Sequence, residues 1–251
     1  MTLREAISKL AACRLAINLT VTLLALLACA GAGASTIVPA PPQINASSFL
    51  LMDTASGEIL AEENSALRLP PASLTKMMTS YIAASEIAGG RMSLSDKVKI
   101  SKKAWLMEHP GCGQRCGSRM FIEVDEDVLV EDLLRGIVIQ SGNDASVAIA
   151  EHISGDEEAF AGLMNQYAER LGMINTRFRN SHGLPDDDHY TTAADLAKLA
   201  TALITHHPAH YATYKERYYT FNNIRQANRN TLLWRDSTVD GVKTVQTEAA
   251  R

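Results

Sequence analysis

Strand-forming segments stand at both ends of this chain, and a long block of helical sequence separates them. Residues 47–64 contain two β-rich runs around a Ser-Gly turn, which is the pattern of a hairpin. After Tyr211 the β-rich runs return, as YYTF, TLLW and VDGVKTVQT. Because strands are stable only when they pair, we expect the N-terminal and C-terminal runs to share a sheet with the helices packed on it, an α+β fold.

The block between these runs shows the period of helices. Apolar residues recur at helical spacing from Ser73 until Gly89-Gly90 stops the run. Helical structure is also predicted in 128–142, 156–172 and 191–207, and in 143–154, which is apolar nearly all round and is therefore expected to be buried. We expect the segment 191–207 to begin at a threonine cap.

The first residues differ in kind from the rest of the chain. Arg4, Lys9 and Arg14 precede a short apolar run, and the small residues GAGAS follow it. This order predicts a secretory signal peptide over residues 1–34, with a lipoprotein cleavage box ending at Cys29 as a looser match. A membrane anchor is the alternative, but the run is shorter than the roughly 18–20 apolar residues that cross a bilayer. We therefore expect an exported protein without an anchor in this chain after cleavage.

Composition limits the kinds of partner. With 46% hydrophobic and 21% charged residues, the chain is typical of a globular protein. Its net charge is −4, and no basic stretch is available to neutralise phosphates. Nucleic acid is therefore not an expected partner.

Export would place the remaining cysteines in an oxidising environment. Cleavage after residue 34 leaves Cys112 and Cys116, in the Gly-rich segment PGCGQRCGS, in an oxidising compartment. We favour a local disulfide between them, with free thiols as the alternative. A zinc site would need two more ligands at matching spacing, and the sequence offers none, so we expect no metal.

Three short patterns stand in order along the chain: Ser73-Leu74-Thr75-Lys76, Ser141-Gly142-Asn143 and Lys243-Thr244-Val245. Each pattern has a simpler structural interpretation when it is taken alone. The first is then a helix cap, the second a turn and the third a solvated strand lysine. Their contexts favour a chemical role.

The first pattern can supply a nucleophile and its base. A serine in the first turn of a helix lies in the field of unpaired N–H groups, which favours developing negative charge. Lys76 lies one turn further on the same face, so its amine can reach the Ser73 hydroxyl. Burial and a second cation can lower the pKa of a lysine enough for it to act as a base, and Lys243 is the candidate cation.

The second pattern lies at a tight junction between two helical segments. A rigid junction can aim the Ser141 hydroxyl to relay a proton and the Asn143 amide to hold a backbone carbonyl or Lys76. Capping of the following helix is the alternative, and the two roles are compatible.

In this order the three patterns resemble those of the serine penicillin-recognising enzymes. More closely, the chain is similar to the low-molecular-mass D-alanyl-D-alanine carboxypeptidases in the segments LPPASLTKMMTSYI, LLRGIVIQSGNDASVAIAEHISG, SHGL and VDGVKT. The resemblance runs from about Ser47 to Thr244. Ser-Gly-Asn, in place of Ser-Asp-Asn, favours the carboxypeptidases over class A β-lactamases, as does the lack of an obvious deacylating glutamate motif.

The resemblance implies a transpeptidase-type fold, with an antiparallel sheet and a helical subdomain, in the periplasm or on the outer face of the bacterial cytoplasmic membrane. It implies that Ser73 attacks the bond between the last two D-alanines of a peptidoglycan stem pentapeptide. Lys76 accepts the serine proton, and Ser141 helps to deliver one to the leaving amine. β-Lactams acylate the same serine, and no cofactor is implied.

The resemblance also implies residues that bind the substrate. Lys243 and Thr244 assist recognition of the substrate carboxylate, and the backbone N–H of Gln246 joins that of the serine in the oxyanion hole. Arg229 adds positive potential for the carboxylate, with an exposed surface arginine as the alternative. His182, in SHGL, matches a loop near the cleft and is not assigned to the catalytic set.

The sequence departs from the family pattern at Val245, where the family has the glycine of Lys-Thr-Gly. We expect its side chain either to face the peptide groove or to overpack against the helix of Ser73, at a cost of about 1–3 kcal/mol. We also expect the catalytic domain, 47–251 after a Pro-rich leader over 35–46, to be incomplete at its C-terminus. A remnant that only binds peptidoglycan peptide or β-lactam, and a β-lactamase, stay open as alternatives.

Overall fold

The structure is a computed structural model that describes residues 44–106 and 117–245 of the 251-residue chain. From Asn45 onward these residues belong to one compact unit. The predicted signal peptide, most of the predicted leader, Cys112, Cys116 and Gln246 lie outside the described residues. What the sequence indicates for them, and the bounds of the predicted domain, therefore stay predictions.

Short strands pair into three antiparallel two-stranded sheets within the described ranges. The strands are β1 (Phe49–Met52), β2 (Ile59–Glu63), β3 (Lys97–Lys99), β4 (Asp127–Leu129), β5 (Tyr218–Phe221) and β6 (Ile224–Ala227). Strands that are consecutive in sequence form the three pairs, β1 with β2, β3 with β4 and β5 with β6. The first pair is the hairpin that the sequence predicts.

Helices make up most of the remaining regular structure. The α-helices are α1 (Thr75–Ala88), α2 (Lys102–Leu106), α3 (Val130–Arg135), α4 (Asn143–Ser154), α5 (Glu157–Arg170), α6 (Ala193–His206), α7 (Pro208–Tyr211) and α8 (Leu232–Arg235). Two 3₁₀ turns, Ala72–Leu74 and Ala212–Lys215, and a π-helical turn, Gly136–Gln140, adjoin them. No helix in the described part of the chain is both long enough and apolar enough to span a membrane.

The predicted helices are confirmed where the period is regular. α4 begins and ends where its segment predicts, and α6 begins after Thr192, whose side chain accepts the Asp195 N–H at 3.1 Å. The segment 128–142 is more divided than its period indicates, because it starts in a strand and ends in the π-helical turn.

The strand predictions are only partly correct. The α+β content is as predicted, but within residues 44–106 and 117–245 the N-terminal and C-terminal strands do not share a sheet. TLLW is wrong as a strand, because the Asn230 side chain accepts the Leu232 N–H at 3.2 Å and starts the turn of α8. Residues 239–245 form no strand either. Their backbone bonds instead to side chains and local turns, as where Asn230 Nδ2 donates to the Gly241 carbonyl at 3.0 Å.

Helix α1 is the centre of the core. Every residue from Thr75 to Ala84 is buried, and the π-helical turn, α4, α5 and α6 all pack against it. Met78, Ile82 and Ala83 have no exposed surface. Because the helix is enclosed on all sides, the position of its first turn is fixed by packing.

We expect Ile82→Ala to lower the free energy of unfolding by about 2–5 kcal/mol, since it removes apolar atoms from a closely packed site. Urea denaturation followed by circular dichroism measures this. The matched control is Ile174→Ala, because Ile174 is 81% exposed and its loss should change stability by less than about 0.5 kcal/mol. Equal effects of the two substitutions would contradict a core centred on α1.

Candidate active site

Ser73 and Lys76 lie at the start of the buried helix. Ser73 is half-buried in the 3₁₀ turn before α1, and Lys76, in the first turn of α1, is only 1% exposed. The Lys76 Nζ lies 3.5 Å from the Ser73 Oγ and donates to the His182 carbonyl oxygen at 2.5 Å. The amine is therefore within reach of the hydroxyl, as the spacing of the first pattern predicts.

The loop that carries His182 lies directly against the turn of Ser73. Ala72 has φ 47°, and the carbonyl oxygen of Ala72 faces Gly183, where any Cβ would overlap it. Gly183 itself has φ +91°, a conformation that side chains rarely permit. Only glycine allows this close approach, and the approach brings the neighbouring carbonyl to Lys76.

A hydrogen bond from His182 to a carboxylate holds this loop in place. The His182 Nδ1 accepts the Leu184 N–H at 3.1 Å, so the proton sits on Nε2, which faces Glu157 Oε1 at 3.2 Å. Ser181 Oγ also donates to that oxygen, at 2.7 Å. Burial lowers the pKa of His182, whereas the hydrogen bonds from His182 and Ser181 outweigh burial and hold the pKa of Glu157 well below its usual value. His182 is outside the catalytic set predicted from the sequence, yet its backbone carbonyl is a direct partner of Lys76.

Ser141 and Asn143 occupy the rigid junction that the second pattern predicts. Ser141 has left-handed backbone angles, φ 65° and ψ 35°, after the π-helical turn, and its Oγ is buried with no hydrogen-bond partner in the described ranges. Gly142 is the N-cap of α4, and no side chain caps this helix end. The alternative in which Ser141 or Asn143 serves as the cap is therefore wrong. A buried hydroxyl without a partner is costly, which favours a function for it.

Asn143 lies against a neighbouring stretch of backbone. Its N–H donates to the Ser118 carbonyl at 2.7 Å, and its Nδ2 lies so close to Gly117 that a Cβ there would stand 2.6 Å away. The glycine leaves room for the amide at the edge of the site.

Asp144 holds the same stretch of backbone in place, and the sequence did not predict this role. Its carboxylate accepts the N–H groups of Met120 at 2.9 Å and Phe121 at 3.1 Å, while Oδ1 accepts the Ala145 N–H at 2.8 Å. Burial raises the pKa of Asp144, although these backbone bonds oppose the rise. The signal in the sequence was an acid at the start of an otherwise apolar helix.

The structure brings the predicted cations into one electrostatic group. Burial, and secondarily Arg229, lower the pKa of Lys243 to about 7. Burial and then Lys243 hold the pKa of Lys76 well below its usual value, with Asp144 opposing and Arg229 adding to the effect. Lys243 is half-buried and donates to the Thr244 carbonyl at 3.3 Å. Arg229 is exposed, and its Nε donates to Gln140 Oε1, next to Ser141 in the chain, at 3.5 Å, so its role at the site stays a prediction.

Val245 lines a groove beside the turn that carries Ser73. The groove has a volume of about 350 Å³, and Pro71, Leu74 and Leu196 also line it. Of the described residues, neither Ser73 nor a residue of α1 lines this groove, so both placements expected for the valine stay predictions.

These side chains together can activate a hydroxyl for attack on a carbonyl carbon. The amine of Lys76 is buried and held toward its neutral form, so it can accept the Ser73 proton. Ser141 offers an unpaired hydroxyl, and Lys243 and Arg229 offer positive charge for an anionic ligand.

The sequence of this chain matches a family of known proteins. Residues 35–251 match the D-alanyl-D-alanine carboxypeptidase family, peptidase S11. The chain is 47% identical over 216 residues to D-alanyl-D-alanine carboxypeptidase DacA of Escherichia coli strain K12, covering 86% of this chain and 53% of the relative. It thus spans about half the length of the curated relatives that it matches.

Solved structures show the same relationship. Penicillin binding protein 5 from Haemophilus influenzae has a TM-score of 0.78 and 44% identity, over 84% of this chain and 60% of that one. Penicillin-Binding Protein D2 from Listeria monocytogenes, solved in its cefotaxime-bound form, has a TM-score of 0.73 and 25% identity, over 84% of this chain and 83% of that one. The transpeptidase-type fold that the sequence predicts is therefore confirmed.

The lowered pKa of Lys76 predicts a pH-dependent stability difference. In the unfolded chain the lysine titrates near 10.4, so between the folded and unfolded pKa values the unfolded state binds more protons and stability rises with pH. We expect the stability of the Lys76→Met variant relative to wild type to be greatest below the folded pKa of the lysine and to shrink as the pH rises from there toward 10.4. Urea denaturation at a series of pH values measures the difference.

The exposed Lys99 supplies the control for this experiment. Lys99→Met alters a side chain that is in water in both states, so its stability difference should stay level with pH. A stability difference that does not change with pH for Lys76→Met would contradict a buried amine with a lowered pKa.

Proposed function

The chain belongs to the D-alanyl-D-alanine carboxypeptidase family, peptidase S11, and from this membership we propose that it removes the terminal D-alanine from peptidoglycan stem pentapeptides. The observation that supports the proposal most directly is the Ser73 hydroxyl, 3.5 Å from a buried amine whose pKa is lowered. Stem peptides ending in D-Ala-D-Ala are the proposed substrates, and the proposed location is the periplasm or the outer face of the cytoplasmic membrane.

Acylation is the first proposed step. The Ser73 oxygen bonds to the carbonyl carbon of the penultimate D-alanine, and the serine proton passes to the neutral Lys76 amine. The bond from that carbon to the nitrogen of the last D-alanine breaks, and this nitrogen receives the proton from Lys76 by way of the Ser141 hydroxyl, which leaves the Lys76 amine neutral again. D-Alanine leaves, and an ester to Ser73 remains.

Hydrolysis of the ester is the second step. Water adds to the ester carbonyl, its proton passes to Lys76, and the peptide is released as its carboxylate while the Ser73 hydroxyl is restored. The backbone N–H groups of Ser73 and Gln246 stabilise the negative oxygen in both steps. Asn143 holds the peptide backbone of the substrate.

Positive charge selects the substrate's free C-terminus. Lys243, with Thr244 beside it, attracts the terminal carboxylate, and Arg229 adds to the local potential. The same charges attract the carboxylate of a β-lactam. We therefore propose that β-lactams acylate Ser73 as mimics of the D-Ala-D-Ala end.

We expect Ser73→Ala to abolish both covalent labelling by a fluorescent penicillin and D-alanine release from a pentapeptide ending in D-Ala-D-Ala. The substitution removes the attacking oxygen from a half-buried side chain and should leave the fold intact. Gel fluorescence and a D-amino acid oxidase assay report the two activities. Ser237→Ala, at an exposed serine, is the matched control and should behave as wild type.

Other outcomes separate the alternatives. Rapid turnover of penicillin with little stable adduct would indicate a β-lactamase. A folded wild-type protein that binds penicillin reversibly, without an adduct or D-alanine release, would indicate a remnant that only binds.

The two lysines predict a bell-shaped dependence of the acylation rate on pH. The rate rises as Lys76 loses its proton and falls as Lys243 loses the charge that attracts the carboxylate, near pH 7. In Lys243→Arg the guanidinium stays charged, so we expect the alkaline limb to move well above pH 7 while the acid limb keeps its place within about one unit. Penicillin acylation rates across pH 5–10 measure both limbs, and an unmoved alkaline limb would contradict the assignment.

A further inference from the structure

We propose that Tyr211 is a positioning residue that sets the location of Lys243 by holding Asp240, while Asn230 holds the neighbouring Gly241. The inference deepens the proposed function, because it rests on Lys243 acting in that site.

The segment that carries Lys243 is held by the packing of Val242 on the core and by hydrogen bonds to the two residues before it. Residues 239–245 belong to no sheet, so no strand ladder sets their position. Among the residues of the two described ranges, two hydrogen bonds tie this segment to distant parts of the chain. The Tyr211 hydroxyl donates to Asp240 Oδ1 at 2.7 Å, and Asn230 Nδ2 donates to the Gly241 carbonyl at 3.0 Å.

Tyr211 connects the segment to the helix that carries Lys76. Its ring stacks on Tyr214, with centroids 5.6 Å apart and an interplanar angle of 27°. Tyr214 is 1% exposed, and its hydroxyl hydrogen-bonds to Ser80 of α1 at 2.5 Å. Burial and the nearby Asp240 raise the pKa of Tyr211, so its hydroxyl keeps the proton that it donates. The segment that carries Lys243 is therefore connected, through Tyr211 and Tyr214, to the helix that carries Lys76.

Gly241 allows the chain to pass close to the tyrosine. A Cβ at this position would stand 2.8 Å from the Tyr211 hydroxyl oxygen and 3.1 Å from its Cε2. Any side chain would therefore push the segment away from the ring, and Lys243 with it.

Asn230 holds the Gly241 carbonyl and so links the segment of Lys243 to the backbone next to Arg229. Asn230 is 8% exposed, and its own N–H donates to Asn228 Oδ1 at 2.9 Å. The Asn228 amide in turn donates to the Tyr214 carbonyl at 3.1 Å. The backbone around Arg229 is therefore held between two buried asparagines, one of which also holds the lysine segment.

The test uses both partners of the hydrogen bond between Tyr211 and Asp240. Tyr211→Phe keeps the ring and removes the donor, whereas Asp240→Ala removes the exposed acceptor. Asp240→Asn keeps an acceptor oxygen. We expect the first two to slow penicillin acylation about 5–10-fold, the double variant to be no slower than either, and Asp240→Asn to recover near wild-type rates.

A second measurement reports on Lys243 without using activity. The amine of Lys243 is titrated by competitive labelling with acetic anhydride, and its modification is quantified by mass spectrometry over pH 6–11. We expect its midpoint to move upward, toward the value of a solvated lysine, in Tyr211→Phe and Asp240→Ala but not in Asp240→Asn. The controls are Tyr218→Phe and Asp187→Ala, which remove an exposed hydroxyl and an exposed carboxylate elsewhere and should match wild type.

The outcomes separate this inference from the proposed function. If wild type is not acylated, the proposed function fails, and the Lys243 titration still decides the positioning role. An unchanged Lys243 midpoint in both Tyr211→Phe and Asp240→Ala would overturn the inference. Additive effects in the double variant, or loss in Asp240→Asn equal to that in Asp240→Ala, would overturn it as well.

Discussion

The burial of the Lys76 amine is the constraint on which the rest of the site depends. An amine removed from water can stay uncharged only if its surroundings disfavour the proton, and it still needs hydrogen-bond partners. Its partners are the Ser73 hydroxyl and the His182 carbonyl, both brought to the first turn of α1. The enclosure of α1 by neighbouring helices therefore serves a chemical purpose as well as a structural one. Packing keeps water from the lysine and prevents the turn from moving away from its partners.

Two separate supports maintain that arrangement. On one side, Gly183 lets the His182 loop touch the backbone of Ala72, and the contact with Glu157 keeps the loop there. On the other side, Lys243 and Arg229 place positive charge near the lysine. The first support provides a hydrogen-bond acceptor and the second disfavours a proton. Neither replaces the other, since an acceptor alone would favour the charged form of the amine.

The sequence predicts what is local and leaves out what is distant. Ser73 and Lys76 meet because they lie one helical turn apart, and the segment of α4, apolar nearly all round, is a buried helix as predicted. The approach of Glu157 to His182 joins separate elements, so no period or spacing reveals it. TLLW reads as a strand by composition and becomes a helix because the neighbouring Asn230 bonds to its backbone. Propensity is a weak guide wherever one side-chain hydrogen bond offers the backbone a different partner.

Different contacts determine the positions of Lys243 and Val245. The contacts that hold the segment act on Asp240, Gly241 and Val242, upstream of Lys243, whereas Val245 lies downstream and lines an open groove with Leu74. A branched side chain at 245 does not have to displace the lysine, because the fixed points come earlier in the chain. The charge that Lys243 presents depends instead on the residues that hold its backbone.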